Sequence, residues 1–293
     1  MKRKLLLPST LTLGITVISF GAIIIRMVSG ASVFAISAWR LGVASAILLP
    51  IGLTRGTIRS IGVRNLLLSG LSGFFLSLHF ILWIASLDYT SVASSVVLVS
   101  MSPIFVGLGA RFFIHEPPSG LLKIATALAV GGSVVIGWGD MRLGGMALQG
   151  DLLAVGGAVM AAGYLLIGRR VRREVPLSGY AFATYGTATV ILLIVCAVMR
   201  QPIIGFSTQD YVWLVLLGLG PQLIGHTSLN WALEYLQASV VSIVTLAEPI
   251  GATILAYIIF GEALTPTKAV GGLIIIIGIY LGIRTGNKAV IAD

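Results

Sequence analysis

Apolar residues run along this chain in blocks of about twenty, each ended by charge, proline or glycine, with the polar residues gathered in short stretches between them. At 1.5 Å per residue, about 20 residues is the length that carries a helix across a hydrocarbon core of roughly 30 Å. Ten such runs predict ten spans, over residues 11–28, 32–53, 65–87, 91–113, 121–138, 151–168, 179–199, 211–231, 238–260 and 268–283. The connections are mostly 3 to 12 residues long, which leaves no room for a soluble domain or a nucleotide-binding module. The fold class expected is therefore an all-α integral membrane protein lying almost entirely within the bilayer.

Composition sharpens this picture. Of 293 residues, 57% are hydrophobic and 10% charged, against roughly 25% charged in an ordinary soluble domain; a soluble enzyme is excluded. The 36 glycines suit helices that pack closely in lipid. The net charge of +9 does not mark a nucleic-acid binder, because the bases sit in short runs between apolar blocks rather than along one helix face. They read as topology signals. With the N-terminus inside, 14 bases fall on the cytoplasmic side: Lys2, Arg3, Lys4, Arg55, Arg59, Arg64, Arg111, Lys123, Arg169, Arg170, Arg172, Arg173, Arg284 and Lys288. Only 4, Arg26, Arg142, Arg200 and Lys268, fall outside. Both termini are expected in the cytoplasm, and the location expected is the cytoplasmic (inner) membrane. The single Cys196 reads as a small buried apolar side chain.

The chain also repeats itself. A shift of 146 residues places Pro103 on Pro249, Glu116 on Glu262, Gly132 on Gly278 and Leu87-Asp88-Tyr89 on Leu233-Glu234-Tyr235 without a gap. Residues 1–146 and 147–293 then hold five spans each, and an odd number of crossings makes the second repeat enter the membrane from the opposite side. Inverted repeats of this kind usually bind solute near the midplane and alternate its access by rocking one part against another.

Several local patterns resemble one family. Ser91-Val92-Ala93 opening span four, Ser102-Pro103 in its middle and Glu116 at its end resemble the fourth helix of EamA-type transporters in the drug/metabolite transporter superfamily. Ala238-Ser239-Val240, Glu248-Pro249 and Gly261-Glu262 are similar to the ninth. Gly150-Asp151-Leu152-Leu153-Ala154 and Ala38-Trp39-Arg40-Leu41 also fit the family's pattern. The resemblance implies ten transmembrane helices as two inverted five-helix repeats, with helices one to four and six to nine around a central cavity. It further implies export of small metabolites, with amino acids, including aromatic ones, the leading class.

Ionisable side chains at bilayer depth cost about 2.5–3.5 kcal/mol each and so call for a partner, water or a function. Arg40 is about the ninth residue of its span and Glu248 about the eleventh of its own, so both lie near the midplane. They could pair, or could hold the two ends of a zwitterion. Pro249 leaves the Thr245 carbonyl without its helical donor, and Pro103 does the same to Val99, so matching kinks turn backbone acceptors inward. His79 with Trp83, and His226 with Asn230, are each four apart and share a helix face, giving a polar and aromatic stripe in both halves. Ser100, Tyr164, Tyr185 and Trp39 complete the candidates. The expected solute-binding set is Arg40, His79, Trp83, Ser100, Tyr164, His226, Asn230, Thr245 and Glu248. Proton coupling stays open, with His79, His226 and Glu248 as its available carriers. Gly278 and Gly282 on span ten form a small-residue face that could meet span five or a second protomer, so a monomer and a weak homodimer both fit.

No phosphate-binding Gly-x-x-x-x-Gly-Lys-Ser/Thr loop occurs, so ATP bound to this chain is not expected to drive flux. The three histidines and one cysteine have no metal-binding spacing, and neither a cofactor nor an enzymatic activity is expected. Asp151 suits an N-cap for span six. The expected partners are membrane lipid and a small-molecule solute. The alternatives are a passive channel or facilitator for small polar or cationic metabolites, and a membrane-embedded enzyme or assembly subunit.

Overall fold

The computed structural model describes residues 2–90, 92–138, 146–261 and 263–290. Ser91, Arg142 and Glu262 lie outside the described residues, as do the side chains of Lys2, Arg3, Lys4, Val92, Ala93 and Lys288. The regular structure of the described residues is helical: α1 (Lys2–Ile18), α2 (Phe20–Met27), α3 (Val33–Thr54), α4 (Val63–Ser86), α5 (Val92–Val99), α6 (Ser102–Phe113), α7 (Gly120–Gly137), α8 (Met146–Arg172), α9 (Leu177–Val198) and α10 (Thr208–Leu217). A π-helical segment (Gly218–His226) follows, then α11 (Thr227–Ala232), α12 (Ala238–Thr245), α13 (Glu248–Phe260) and α14 (Pro266–Val290). Joined across their breaks, nine of the described helices are long and apolar enough to cross a membrane, and Gly120–Ile136 is a shorter apolar helix. This is the ten-helix architecture expected from the apolar runs.

Local chemistry sets the boundaries. Ser32, Ser119 and Ser207 each start a helix by accepting the N–H three residues on, from Ala35, Leu122 and Asp210. Pro103 and Pro249 fall at the second position of α6 and α13, where a helix has no use for the missing N–H. Spans four and nine are therefore broken in two rather than bent. The breaks share a register: α5 ends at Val99 and α12 at Thr245, while α6 begins at Ser102 and α13 at Glu248, each pair 146 residues apart. Asp151 is not the expected N-cap, because α8 begins five residues earlier at Met146. Its carboxylate instead accepts a 2.8 Å bond from the Thr90 hydroxyl.

The chain forms two compact units, Met1–Ile81 with Ile167–Glu234, and Leu82–Leu166 with Tyr235–Asp293, so each takes segments from both sequence halves. In the first unit α3 lies along α9, and α1 lies along the π-helical segment. One apolar cluster there joins Val171, Val175 and Tyr180 to Ile61, Leu68 and Ile167. In the second unit α7 and α14 meet along a seam where backbone comes close to backbone at the glycines, with Ile136, Ile275 and Ala129 beside them. A Cβ added at Gly132 would lie 2.7 Å from the Gly271 carbonyl oxygen, and one at Gly278 would lie 2.8 Å from that of Ala125. Spans five and ten thus meet each other, whereas Gly282 faces Ile243 of α12.

Candidate functional site

A buried polar cluster forms in the first unit around Arg40 of α3, which is 1% exposed. Its Nε donates to Gln222 Oε1 at 2.9 Å. Its guanidinium carbon lies 4.1 Å from the centroid of the Phe80 ring, a cation–π contact that gains strength where water is excluded. The other edge of the cluster is imidazole. His226 meets Phe80 edge-on at 5.4 Å, and His79 tilts against the same ring at 4.9 Å. Three expected residues, Arg40, His79 and His226, are thus gathered on one aromatic ring.

The π-helical segment supplies two of these groups. Pro221 lies inside it and has no N–H to give, and three glycines flank it at 218, 220 and 225. Wider helical turns of this type recur at functional sites because they re-aim the side chains they carry. Gln222 and His226, four apart, both reach the Arg40–Phe80 pair. The segment lies close to α1: a Cβ at Gly225 would lie 2.3 Å from Ile18 Cγ1, and one at Gly14 would lie 2.7 Å from Ser228 Cβ.

Asn230 takes a different partner. It is fully buried in α11, and its Nδ2 donates at 2.9 Å to the Tyr185 hydroxyl, which also lies 3.2 Å from Thr227 Oγ1. His226 and Asn230 therefore serve two adjoining networks. Trp39 stands apart from both. Its indole donates to the Ile203 carbonyl at 2.8 Å and packs edge-on against Tyr211.

The other expected residues belong to the second unit. Trp83 and Tyr164 are buried, Ser100 lies half-buried in the break between α5 and α6, and Thr245 and Glu248 flank the break between α12 and α13. The Thr245 hydroxyl donates to the Ser242 carbonyl at 2.6 Å. Glu248 is the first residue of α13, where the positive end of the helix dipole favours a carboxylate.

A second polar group in the first unit sits at the end of α8. Arg169 donates to the Leu233 and Glu234 carbonyls, at 2.8 and 3.1 Å, beyond the C-terminus of α11. Arg172 donates to the Asn230 and Val175 carbonyls and pairs with the Glu234 carboxylate. Two of the bases counted as topology signals are thus buried and bonded, while Arg170 and Arg173 are exposed.

Gln222 and Phe80 are the members of the Arg40 cluster that reading the sequence missed. Gln222 left a signal, an amide inside an apolar span, beside Pro221 and four residues before His226; Phe80 left none.

Comparison with known proteins agrees with this architecture. The EamA-like transporter family matches the chain twice, over residues 8–138 and 148–284. An uncharacterized transporter of Clostridium kluyveri is 26% identical over 84% of this chain and 82% of its own length. Mouse solute carrier family 35 member G1 is 27% identical over 88% of this chain and 73% of its own length. A solved crystal structure shares the fold with a TM-score of 0.78 at 19% identity, over 96% of this chain and 99% of that one. The chain belongs to the EamA-like transporter family and is a multi-pass membrane transporter of a small-molecule solute, not an enzyme.

Proposed function

We propose that this protein is a secondary transporter that exports small metabolites, amino acids foremost, across the cytoplasmic membrane by alternating access, with both termini in the cytoplasm. The observation that carries the reading is the Arg40–Gln222–Phe80–His226 cluster. A buried cation and two imidazoles gathered on one ring inside membrane-spanning helices are costly to insert. Intramembrane ionisable groups of this kind mark solute and ion pathways. The guanidinium suits a carboxylate, and the aromatic ring beside it suits an apolar side chain. The half-buried Glu248 suits an ammonium group.

The two-repeat organisation, residues 1–146 and 147–293, is part of this reading. It is supported by the double family match and by the 146-residue register of the two broken helices. Asn230 in the first unit, and Trp83, Ser100, Tyr164 and Thr245 in the second, are proposed as further residues that contact solute.

The test is uptake into proteoliposomes of a labelled panel of amino acids, nucleosides and quaternary amines, with and without a pH gradient. Saturable amino-acid flux is expected, and its response to the gradient decides proton coupling. Flux of another solute class with none of amino acids would overturn the substrate assignment.

A further inference from the structure

Within the Arg40 cluster, Gln222 has a hydrogen-bonding capacity that is only half used. Its side chain is fully buried, and Oε1 accepts from Arg40 Nε at 2.9 Å. Its Nε2 has no hydrogen-bond partner among the described residues. An amide can ordinarily turn over to exchange its oxygen and nitrogen, but a guanidinium carries donors only, so the oxygen must face Arg40 and the NH2 must face away. Two N–H donors are thereby fixed in direction beside a positive charge. A buried donor left unmade is expensive, and a native fold that keeps one calls for a specific reason.

Next to Arg40 the packing admits one added carbon at ordinary contact distance. A Cβ added at Gly21 of α2 would lie 3.8 Å from Arg40 Nη1 and 3.8 Å from Pro221 Cβ, with nothing closer. At Gly14 and Gly225 nearby, the same addition would collide at 2.7 and 2.3 Å. Packing is thus tight at Gly14 and Gly225 and of ordinary closeness at Gly21 beside Arg40. An acceptor that satisfies an amide NH2 next to a guanidinium is an oxygen carrying negative charge, and a planar carboxylate offers two.

We propose that Gln222 is the residue that reads the carboxylate of the transported solute, through Nε2, and that Arg40 is the positioning residue that fixes the direction of the amide. The proposal rests on the reading of this cluster as the solute site. It makes discrimination between an acid and its decarboxylated amine a property of one side chain. A site built around a specific hydrogen bond rejects the analogue that lacks it far more strongly than an apolar pocket does.

The experiment measures the affinity of purified full-length protein for an amino acid that it transports and for the corresponding amine. Wild type, Gln222→Glu and Gln222→Met are compared. Glutamate keeps an oxygen for Arg40 and removes both donors; methionine removes them without adding charge, and serves if the glutamate variant is not recovered folded. Wild type is expected to prefer the acid by about a hundredfold or more, and both variants to lose most of that preference through weaker binding of the acid. In Arg40→Ala the preference is also expected to fall, because the amide is then free to turn. If acid and amine weaken together in the Gln222 variants, the residue is structural and the proposal is overturned. If wild type moves amino acids and the variants keep the full preference, the proposal falls while the transport reading stands. If wild type moves no carboxylate-bearing solute, both fall.

Discussion

The Arg40 region of the first unit and the α7–α14 seam of the second are contrasting helix contacts. In the first, buried side chains bond across helices: Arg40 to Gln222, Asn230 to Tyr185, Ser72 to the Tyr180 hydroxyl at 2.7 Å. In the second, the seam between α7 and α14 is made by backbone approaching backbone at Gly132, Gly271 and Gly278. Lipid tails are as apolar as leucine, so helices in a membrane gain little from apolar burial and rely on close packing and on polar bonds. The atoms that meet at these glycines belong to backbone, Ile136, Ile275 and Ala129, none of them charged. A polar network can exchange one partner for another, as solute recognition requires. The difference therefore separates a cluster whose side chains can do chemistry from a seam that only needs to hold.

That comparison breaks first at the seam if it is wrong. Gly132→Val and Gly278→Val each force several atoms between two backbones and are expected to cost about 3 kcal/mol, the upper end for overpacking. Thermal unfolding in detergent measures the loss, and transport per folded molecule should stay within about twofold of wild type, since only stability is affected. A transport defect without a stability defect would make the seam a moving part.

Arg172→Ala comes next. It leaves two carbonyls and the Glu234 carboxylate without their shared donor, for about 2 kcal/mol of stability. Arg172→Lys should recover only part, because an ammonium cannot fork between them. Glu234→Gln should cost less than about 1 kcal/mol, since its side chain is 39% exposed and the pair is screened there.

The smallest effect expected is that of Asn230→Leu, about 0.6 kcal/mol, the average for a hydrogen bond between membrane helices. A loss several times larger would mean that the Tyr185–Asn230 pair and the Arg40 cluster act as one network, which a double-mutant cycle would measure.

The ten spans and an interruption at Pro103 and Pro249 were legible because apolar run length and proline placement act locally, although kinks were expected where the helices break. The seam was half legible: Gly278 marked a small-residue face, but its partner depends on tertiary packing, and the neighbouring Gly282 turned out to face Ile243. The π-helical segment was not legible. A stretch of apolar residues, glycines and Pro221 signals interruption without saying that the helix widens rather than breaks. Arg169 and Arg172 were hidden for another reason. A charge count along the chain treats all four arginines of that run alike, although two turn inward one helical turn apart. Gln222 stands four residues before His226 as Asn230 stands four after it, and its meaning depends on which of its atoms Arg40 holds, a tertiary contact.

The central claim is that the Arg40 cluster binds solute. The most direct measurement is saturable amino-acid uptake into proteoliposomes by wild type, Arg40→Ala and Gly132→Ala, each normalised to the folded protein reconstituted. Wild type and Gly132→Ala are expected to transport alike, and Arg40→Ala to fall about a hundredfold, a loss of about 2.7 kcal/mol of stabilisation. Uptake by Arg40→Ala at the wild-type rate and affinity would contradict the account.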